Sequence, residues 1–399
     1  MKQILLLLIL AGATAISATP IEYAAPEFLQ CYYDQYSYNY LNAAAVGRGH
    51  TGVGVTGDIQ TAFFNPAAYK PVKPHTYIEV FFKPGIAELD EIEETENNYL
   101  QSTPFGIIGA GFAPVRGNNF GFFYAIPRCI KYYQYSRRTK SDRTIIRYPA
   151  FTEHQLTFTF NRSIIERLTA GANFSAHIYH QTDYRKYYSW DRVNTTDALF
   201  RIQPGLLWEA ENWSVGISYK SPMRHDFDMT LGETYNVTIP DEFSAGLAMR
   251  FAPVAVFVDV EYIRCSKQSD AFDNKLRWKI GIEKQENRIV WRLGYIENPG
   301  VFSGEYAYPQ DSGLNQNDPY NPPNDYGVVG NTDQGLVTCG FSWLLGIVDV
   351  HVGFLTDVKS NYDMTQAYMG LSLDLRTFDK FLRKIRGRDE SEDGIIIID

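Results

Sequence analysis

The chain has 399 residues, with 37 Lys and Arg against 46 Asp and Glu, and its formal net charge of −9 excludes the basic footprint of a nucleic-acid partner. Aromatic residues make up 15% of it and charged residues 21%, and mean hydropathy is −0.27. That reads as soluble on average, as does a barrel with one apolar and one polar face. Beyond the amino terminus no run approaches the roughly 18 apolar residues of a spanning helix, so any membrane crossing is made by strands.

The chain opens on MKQILLLLILAGATA, with Lys2 as a positive start, Ile4 to Leu10 as an apolar core and Ala13-Thr14-Ala15 as a small-residue cleavage site. This is a secretory signal peptide over residues 1–15, or 1–18 if the cut follows Ala18. The cysteines Cys31, Cys129, Cys265 and Cys339 are scattered and form no CxxC pair; two bridges or four unpaired buried thiols both fit. Residues 19–41 are aromatic without a clean period. Asn42 to Tyr69 is glycine-rich (Gly47, Gly49, Gly52, Gly54, Gly57), carries Phe63 and Phe64, and closes on Asn65-Pro66-Ala67. Glycines at that density suit a compact non-sheet segment held inside something larger. Pro66, Pro71 and Pro74 mark where it ends, so residues 16–74 are predicted to form an amino-terminal hatch.

From His75 fourteen strands are predicted: 75–83, 105–114, 119–135, 153–162, 167–182, 197–210, 212–230, 242–252, 253–264, 275–285, 288–297, 334–345, 347–358 and 366–378. Several alternate with period two. Val254, Val256, Val258, Val260 and Tyr262 oppose Asp259 and Glu261; Leu276, Trp278, Ile280 and Ile282 oppose Arg277, Lys279 and Glu283; Trp291, Leu293 and Tyr295 oppose Arg292. The connections run long, short, long, short, which is the arrangement of outer-membrane barrels with periplasmic turns and external loops. An even strand number leaves both ends of the sheet on the periplasmic side. The fold class is therefore all-β: a 14-stranded antiparallel transmembrane barrel over residues 75–378 with the hatch in its lumen. Residues 298–333, rich in Pro, Asn, Asp, Gly and Tyr, form a lid-sized external loop, and 379–399 form a periplasmic tail. Eight strands fill their own bore, while sixteen leave a channel. Fourteen lie between, and the residues before His75 are there to plug the gap.

Gly47-Arg48-Gly49, Gly52-Val53-Gly54 and Thr61-Ala62-Phe63-Phe64-Asn65-Pro66-Ala67 resemble the hatch of the FadL-type long-chain fatty-acid outer-membrane transporter family, which includes aromatic-hydrocarbon channels. WSVGISYKSPMRHDF (Trp213–Phe227), TIPDEFSAGLAMRF (Thr238–Phe251), FVDVEYIRCS (Phe257–Ser266) and WRLGYIENPG (Trp291–Gly300) follow that family's mid-barrel order. The resemblance covers nearly the whole mature chain. It implies passive, diffusion-driven uptake of hydrophobic compounds, fatty acids or aromatic hydrocarbons, by a monomer in the outer membrane, gated by the hatch. It also implies exit into the bilayer at a kink in the third strand, where this chain carries Pro127; proline is confined to bulges and edges of sheets. The chain departs from the family in continuing past Phe378, and the family includes members that serve protein secretion.

Competing readings have specific requirements. Gly47-x-Gly49-x-x-Gly52 fits a dinucleotide fingerprint, but no buried strand precedes it and no helix follows. His177 and His180 fall on opposite faces of a strand and the other histidines are isolated, so no metal and no cofactor is expected. No G-x-S-x-G and no triad-like grouping stands out, so no enzyme is expected. The predicted hatch residues are Gly47, Gly49, Gly52, Asn65, Pro66 and Ala67. Phe63 and Phe64 are predicted to line the cargo's tail, with Arg250, Lys279 or Arg292 holding a carboxylate. Inward cations, Arg201 and Arg277 included, also have Asp259, Glu261, Glu283 and Asp374 as polar-lumen partners. The alternatives are a secretion-associated barrel docking a protein partner at its extracellular loops, and a secreted soluble β-protein.

Overall fold

In a computed structural model, the described residues are 38–71, 74–82, 105–115, 117–130, 135–138, 144–186, 190–228, 234–267, 273–300, 333–359, 365–375, 377–378 and 382. The predicted leader, Cys31, most of the loop 298–333 and nearly all of the tail 379–399 lie outside them.

The strands in chain order are β1 (His75–Phe82), β2 (Phe105–Val115), β3 (Asn118–Ile130), β4 (Tyr135–Arg138), β5 (Thr144–Ile165), β6 (Leu168–Lys186), β7 (Trp190–Glu209), β8 (Trp213–Lys220), β9 (Met223–Asp228), β10 (Thr234–Ile239), β11 (Glu242–Phe251), β12 (Val254–Ile263), β13 (Lys275–Glu286), β14 (Ile289–Asn298), β15 (Gln334–Leu344), β16 (Val348–Asp357) and β17 (Thr365–Asp374). Pairing is antiparallel and runs from each barrel strand to the next. β3 pairs directly with β5, β8 with β11, and β1 with both β2 and β17. The result is a closed ring of fourteen strands. β4 lies alongside the far end of β5, and β9 and β10 form a separate hairpin. Among the described residues no helix is long and apolar enough to cross a membrane.

Alternation sorts the two faces. On β13, Leu276, Trp278, Ile280 and Ile282 are exposed outward while Arg277 and Lys279 are buried inward. On β11, Phe243 and Phe251 point out and Ser244 and Ala248 point in. Outward aromatics gather at the two rims. Trp208, Trp213, Phe251, Trp291 and Trp343 sit beside the short turns, and Phe243, Tyr262 and Trp278 sit near the long-loop end. Phe243 and Phe251 are eight residues apart on β11, about 27 Å along the strand and about 20 Å along the barrel axis at the usual tilt of about 35–45°, the scale of the ~25 Å apolar band of an outer-membrane barrel. Amphipathic rings settle at the headgroup level on each side of such a band.

Three strands are much longer than the membrane requires. β5, β6 and β7 have 22, 19 and 20 residues, where about 9–11 suffice to cross. Their extra length lies at the loop end, where residues 136–152 are predicted as loop. The predicted single strand 212–230 is instead β8 followed by β9, broken at Ser221-Pro222. Pro222 has no N–H to donate to a ladder.

Residues 39–55 and 59–69 are buried. They form a short helix, α1 (Ala43–Gly47), and two 3-10 turns, Ile59–Phe63 and Pro66–Ala68. Leu41, Val53, Ile59, Phe63, Phe64 and Tyr69 make one apolar cluster with Tyr77, Ile107 and Phe123 of the wall.

Candidate functional site

Where the amino-terminal segment meets the wall, the wall is stripped of side chains. A methyl group on Gly216 would overlap the carbonyl of Val53; on Gly281, that of Arg48; on Gly353, that of Ala43; and on Gly294, the amide of Gly49. Gly205 and Gly171 leave the same room for Asn65 and for the Pro66–Ala67 peptide. These glycines are cross-strand neighbours: Gly171 faces Gly205, Gly216 faces Gly246, Gly281 faces Gly294, and Gly340 faces Gly353. They form a collar. The signal for it in the sequence is the repetition of glycine at inward positions of successive strands.

Between the glycines, inward polar residues hold the segment's main chain. Asn173 Nδ2 donates to Ala62 O (2.7 Å), Gln203 Nε2 and Ser218 Oγ to Phe64 O (2.8 and 2.9 Å), and Ser214 Oγ to Gly54 O (2.7 Å). Asn161 Nδ2 reaches both Pro66 O (2.7 Å) and Tyr69 O (2.5 Å). Acceptors match the segment's free amides. The Asp259 carboxylate takes Gly52 N (2.6 Å) and Val53 N (3.0 Å), and Glu79 takes Asn42 N (3.0 Å) and Ala43 N (2.5 Å). Hydrogen bonds to a carboxylate are the stronger kind. Asp259, predicted as a partner for inward cations, thus has a different task. Irregular backbone buried in a bore needs such partners, since each unmet group is costly.

Asn65 is fully buried. Its Oδ1 accepts from Ala67 N (3.0 Å), capping the 3-10 turn that starts at Pro66, and its Nδ2 donates to Val53 O (2.9 Å) and Leu206 O (3.1 Å). Pro66 suits the first position of such a turn because it lacks the N–H that would go unmet there. Asn65-Pro66-Ala67 therefore ties three things together: the segment's own fold, the neighbouring run at Val53, and strand β7.

Pro127 lies in a bulge. The β3–β5 register shifts between Ala125 and Arg128, and the β2–β3 pairing goes no further than Ile107 with Ala125. The carbonyls left over are taken by Asn39, whose N donates to Pro127 O (2.9 Å) and whose Nδ2 donates to Ile126 O (2.8 Å). Tyr38 bridges to Arg128 beside it. A small cavity of about 40 Å³ lies behind the bulge, lined by Phe63 and Pro127 with Glu153, His177, Arg201 and Lys220 among its polar walls.

The predicted binding residues do not converge on one place. Phe63 borders the bulge cavity, 5.6 Å from Lys220 Nζ, and Phe64 packs edge-on to the ring of His50. Lys279 is fully buried, 2.5 Å from Glu261 and 3.4 Å from His50 Nδ1. Burial, followed by the nearby Lys279, holds His50 well below the usual histidine range. Arg277 shares Glu261 at 3.1 Å and stacks on Tyr38, which also meets Arg128. Arg292 lies near the turn end, 2.7 Å from Glu283, and borders a different cavity. Arg250 donates to Thr56 at 3.4 Å on that same side, and Arg201 donates to the carbonyls of Ser221 and Pro240. Cys129 and Cys265 are buried, and Cys339 is exposed on the outer face.

No family model and no curated protein matches the sequence. Solved structures do match. A Pseudomonas aeruginosa FadL homologue aligns with a TM-score of 0.59 at 10% identity, covering 84% of this chain and 98% of that one. The Ralstonia pickettii toluene transporter TbuX aligns with a TM-score of 0.59 at 11% identity, over 84% and 98%. The Pseudomonas putida toluene transporter TodX aligns with a TM-score of 0.54 at 10% identity, over 83% and 96%. With a sealed ring of fourteen antiparallel strands, an apolar outer band between aromatic rims and a polar inner face, the chain has the fold of the FadL-type outer-membrane transporters.

Proposed function

We propose that the protein is an outer-membrane channel for passive uptake of hydrophobic compounds such as long-chain fatty acids, with the segment around residues 38–71 as its hatch. The observation that carries this reading is the β3 bulge: the wall loses its β2–β3 ladder beyond Ala125, and the freed carbonyls of Ile126 and Pro127 are held by Asn39 of the segment. A contact of two hydrogen bonds can be exchanged for another state at a modest free energy, about 2 kcal/mol. Cargo would reach Phe63 and Phe64 from the loop end, part Asn39 from the bulge, and leave sideways into the bilayer. Lys279, joined to the bulge through Glu261, Arg277 and Tyr38, is the cation offered to a carboxylate. Arg250 and Arg292 lie toward the other cavity and take no part in this reading. The likeness to solved toluene transporters supports it through the shared fold. Nothing in it requires an external energy source, since movement follows the gradient.

Uptake of labelled oleate by cells whose own fatty-acid channel is deleted tests the proposal. Expression of this chain is expected to restore uptake, and Pro127→Val, which rebuilds the ladder at the bulge, to lower it severalfold at equal amounts of inserted barrel. Unchanged uptake by Pro127→Val refutes the lateral exit. Failure of the wild-type chain to restore uptake, together with co-purification of a large protein partner, points to secretion instead.

A further inference from the structure

The carboxyl end of the wall carries a feature that uptake does not use. The predicted last strand 366–378 stops at Asp374, and the described residues beyond it, Leu375, Thr377, Phe378 and Leu382, are helical. Asp374 makes the change of structure. Its Oδ1 accepts from Thr377 N (3.2 Å) and its Oδ2 from Thr377 Oγ1 (2.6 Å), which caps a helix whose first residue is Leu375. Backbone bonds fix that start at the turn end of the ring: Asp374 N donates to Ile347 O (3.0 Å), and Leu375 N to Pro74 O (3.1 Å). Leu375 is exposed and continues the outward parity of Met369, Leu371 and Leu373. The helix therefore begins on the lipid side of the rim, beside the β15–β16 turn, where Leu345 is also exposed.

The sequence that follows has the helical period. At about 100° per residue Leu375, Phe378, Phe381, Leu382 and Ile385 fall within an arc of about 120°, and Arg376, Lys380, Arg383 and Lys384 gather on the opposite side. Five Lys or Arg stand against one Asp from 375 to 386, and Gly387 supplies the stop. An apolar stripe with a cationic back is the pattern of a helix that lies in the plane of a membrane surface. The outward start turns that stripe toward the bilayer, and Lys and Arg stems are long enough to reach headgroup phosphates from its flanks. We propose that residues 375–386 are an amphipathic helix that docks on the periplasmic leaflet by binding anionic phospholipid. The acidic run Asp389–Asp393 has the charge to compete for the same cations, but it offers nothing to the apolar stripe. The proposal needs the membrane location and not the uptake reading.

The test uses the full chain in lipid nanodiscs, of phosphatidylcholine alone or mixed with phosphatidylglycerol, and reads amide hydrogen exchange by mass spectrometry. A helix as short as 375–386 is marginal in water by itself, so slow exchange over 378–386 reports docking. Exchange there is expected to be slower by about tenfold or more in the anionic discs, and salt at about 1 M to erase the difference. Lys380→Gln and Lys384→Gln should each cut the lipid dependence by about fivefold. Leu382→Ser should quicken exchange in the anionic discs by about tenfold while exchange in β17 stays slow. Truncation after Arg388 removes the acidic run and should leave protection unchanged or greater. Equal exchange in the two lipids overturns the proposal: if slow in both, the helix packs on the barrel, and if fast in both, it does not dock. Loss of protection on truncation overturns it as well, and gives the acidic run as the occupant. None of these readouts depends on transport.

Discussion

Two parts of the wall hold the segment in opposite ways. β12 and β13 pair without a break from Val254 with Lys284 to Ile263 with Lys275. β3 is broken twice, against β2 between Phe112 and Val115 and against β5 between Ala125 and Arg128. An unbroken ladder has no spare main-chain groups, so β12 and β13 grip the segment through side chains, Asp259 on the amides of Gly52 and Val53, Glu283 on Arg48 and Lys279 on His50, and through the gap at Gly281. A broken ladder has spare groups, and β3 offers its own carbonyls to Asn39. The first kind of grip cannot be released without leaving buried amides unmet. The second can be traded, because a strand partner or water would satisfy the same carbonyls. The segment is anchored on one side and latched on the other.

Overfilling the anchored side should do most damage. Gly281→Leu drives a side chain into the Arg48 carbonyl, a misfit of about 3 kcal/mol or more with no flexible neighbour to absorb it. The segment should undock, seen as protease cleavage within residues 38–71 and as a rise in ion conductance across a planar bilayer. Asp259→Ala should rank next. It strips Gly52 and Val53 of a charged acceptor, about 3 kcal/mol, and their amide exchange should quicken near a hundredfold while exchange in the β12–β13 ladder stays slow. Asn39→Ala, on the latched side, should do least: about 1 kcal/mol, with exchange rising only around the bulge and initial uptake growing rather than falling. If Asn39→Ala releases the whole segment as fully as Asp259→Ala does, the distinction between anchor and latch is gone.

Much of the wall was legible because a barrel strand obeys a two-residue rule that water and lipid enforce on every position. Leu276, Trp278, Ile280 and Ile282 against Arg277 and Lys279 leaves little choice of face. The rule gives way beyond the membrane. β5 runs back to Thr144 through Pro149, past the length that crosses a bilayer, where lipid no longer enforces alternation, so the extension of β5 to β7 read as loop. Of the hairpin β9–β10, β9 was read as the end of the single strand 212–230, and β10 fell between that strand and the predicted 242–252. Asn65-Pro66-Ala67 and Pro127 were legible as special, since an Asn-Pro turn and a proline inside a strand both break local rules. The glycine collar was not. One inward glycine says nothing by itself; its meaning lies in partners on neighbouring strands that only the register supplies. The division of Phe63 from Arg292 between two cavities was equally hidden, because alternation tells which face a residue takes and not which side of the segment it meets.

The ring is sealed by its first and last strands, with His75 opposite Asp374 and Phe82 opposite Ala367. No closed wall can exist until the final strand has been made and delivered, some 290 residues after the first, and contacts that distant in sequence form slowly. The amino-terminal residues are synthesised before any of it. They are on hand while the sheet is still an open ribbon, and they can be surrounded as it curls, with no need to thread a finished pore. The fit of bare wall to main chain is then also a template for curvature: a sheet that curls around a buried segment takes its radius from what it encloses.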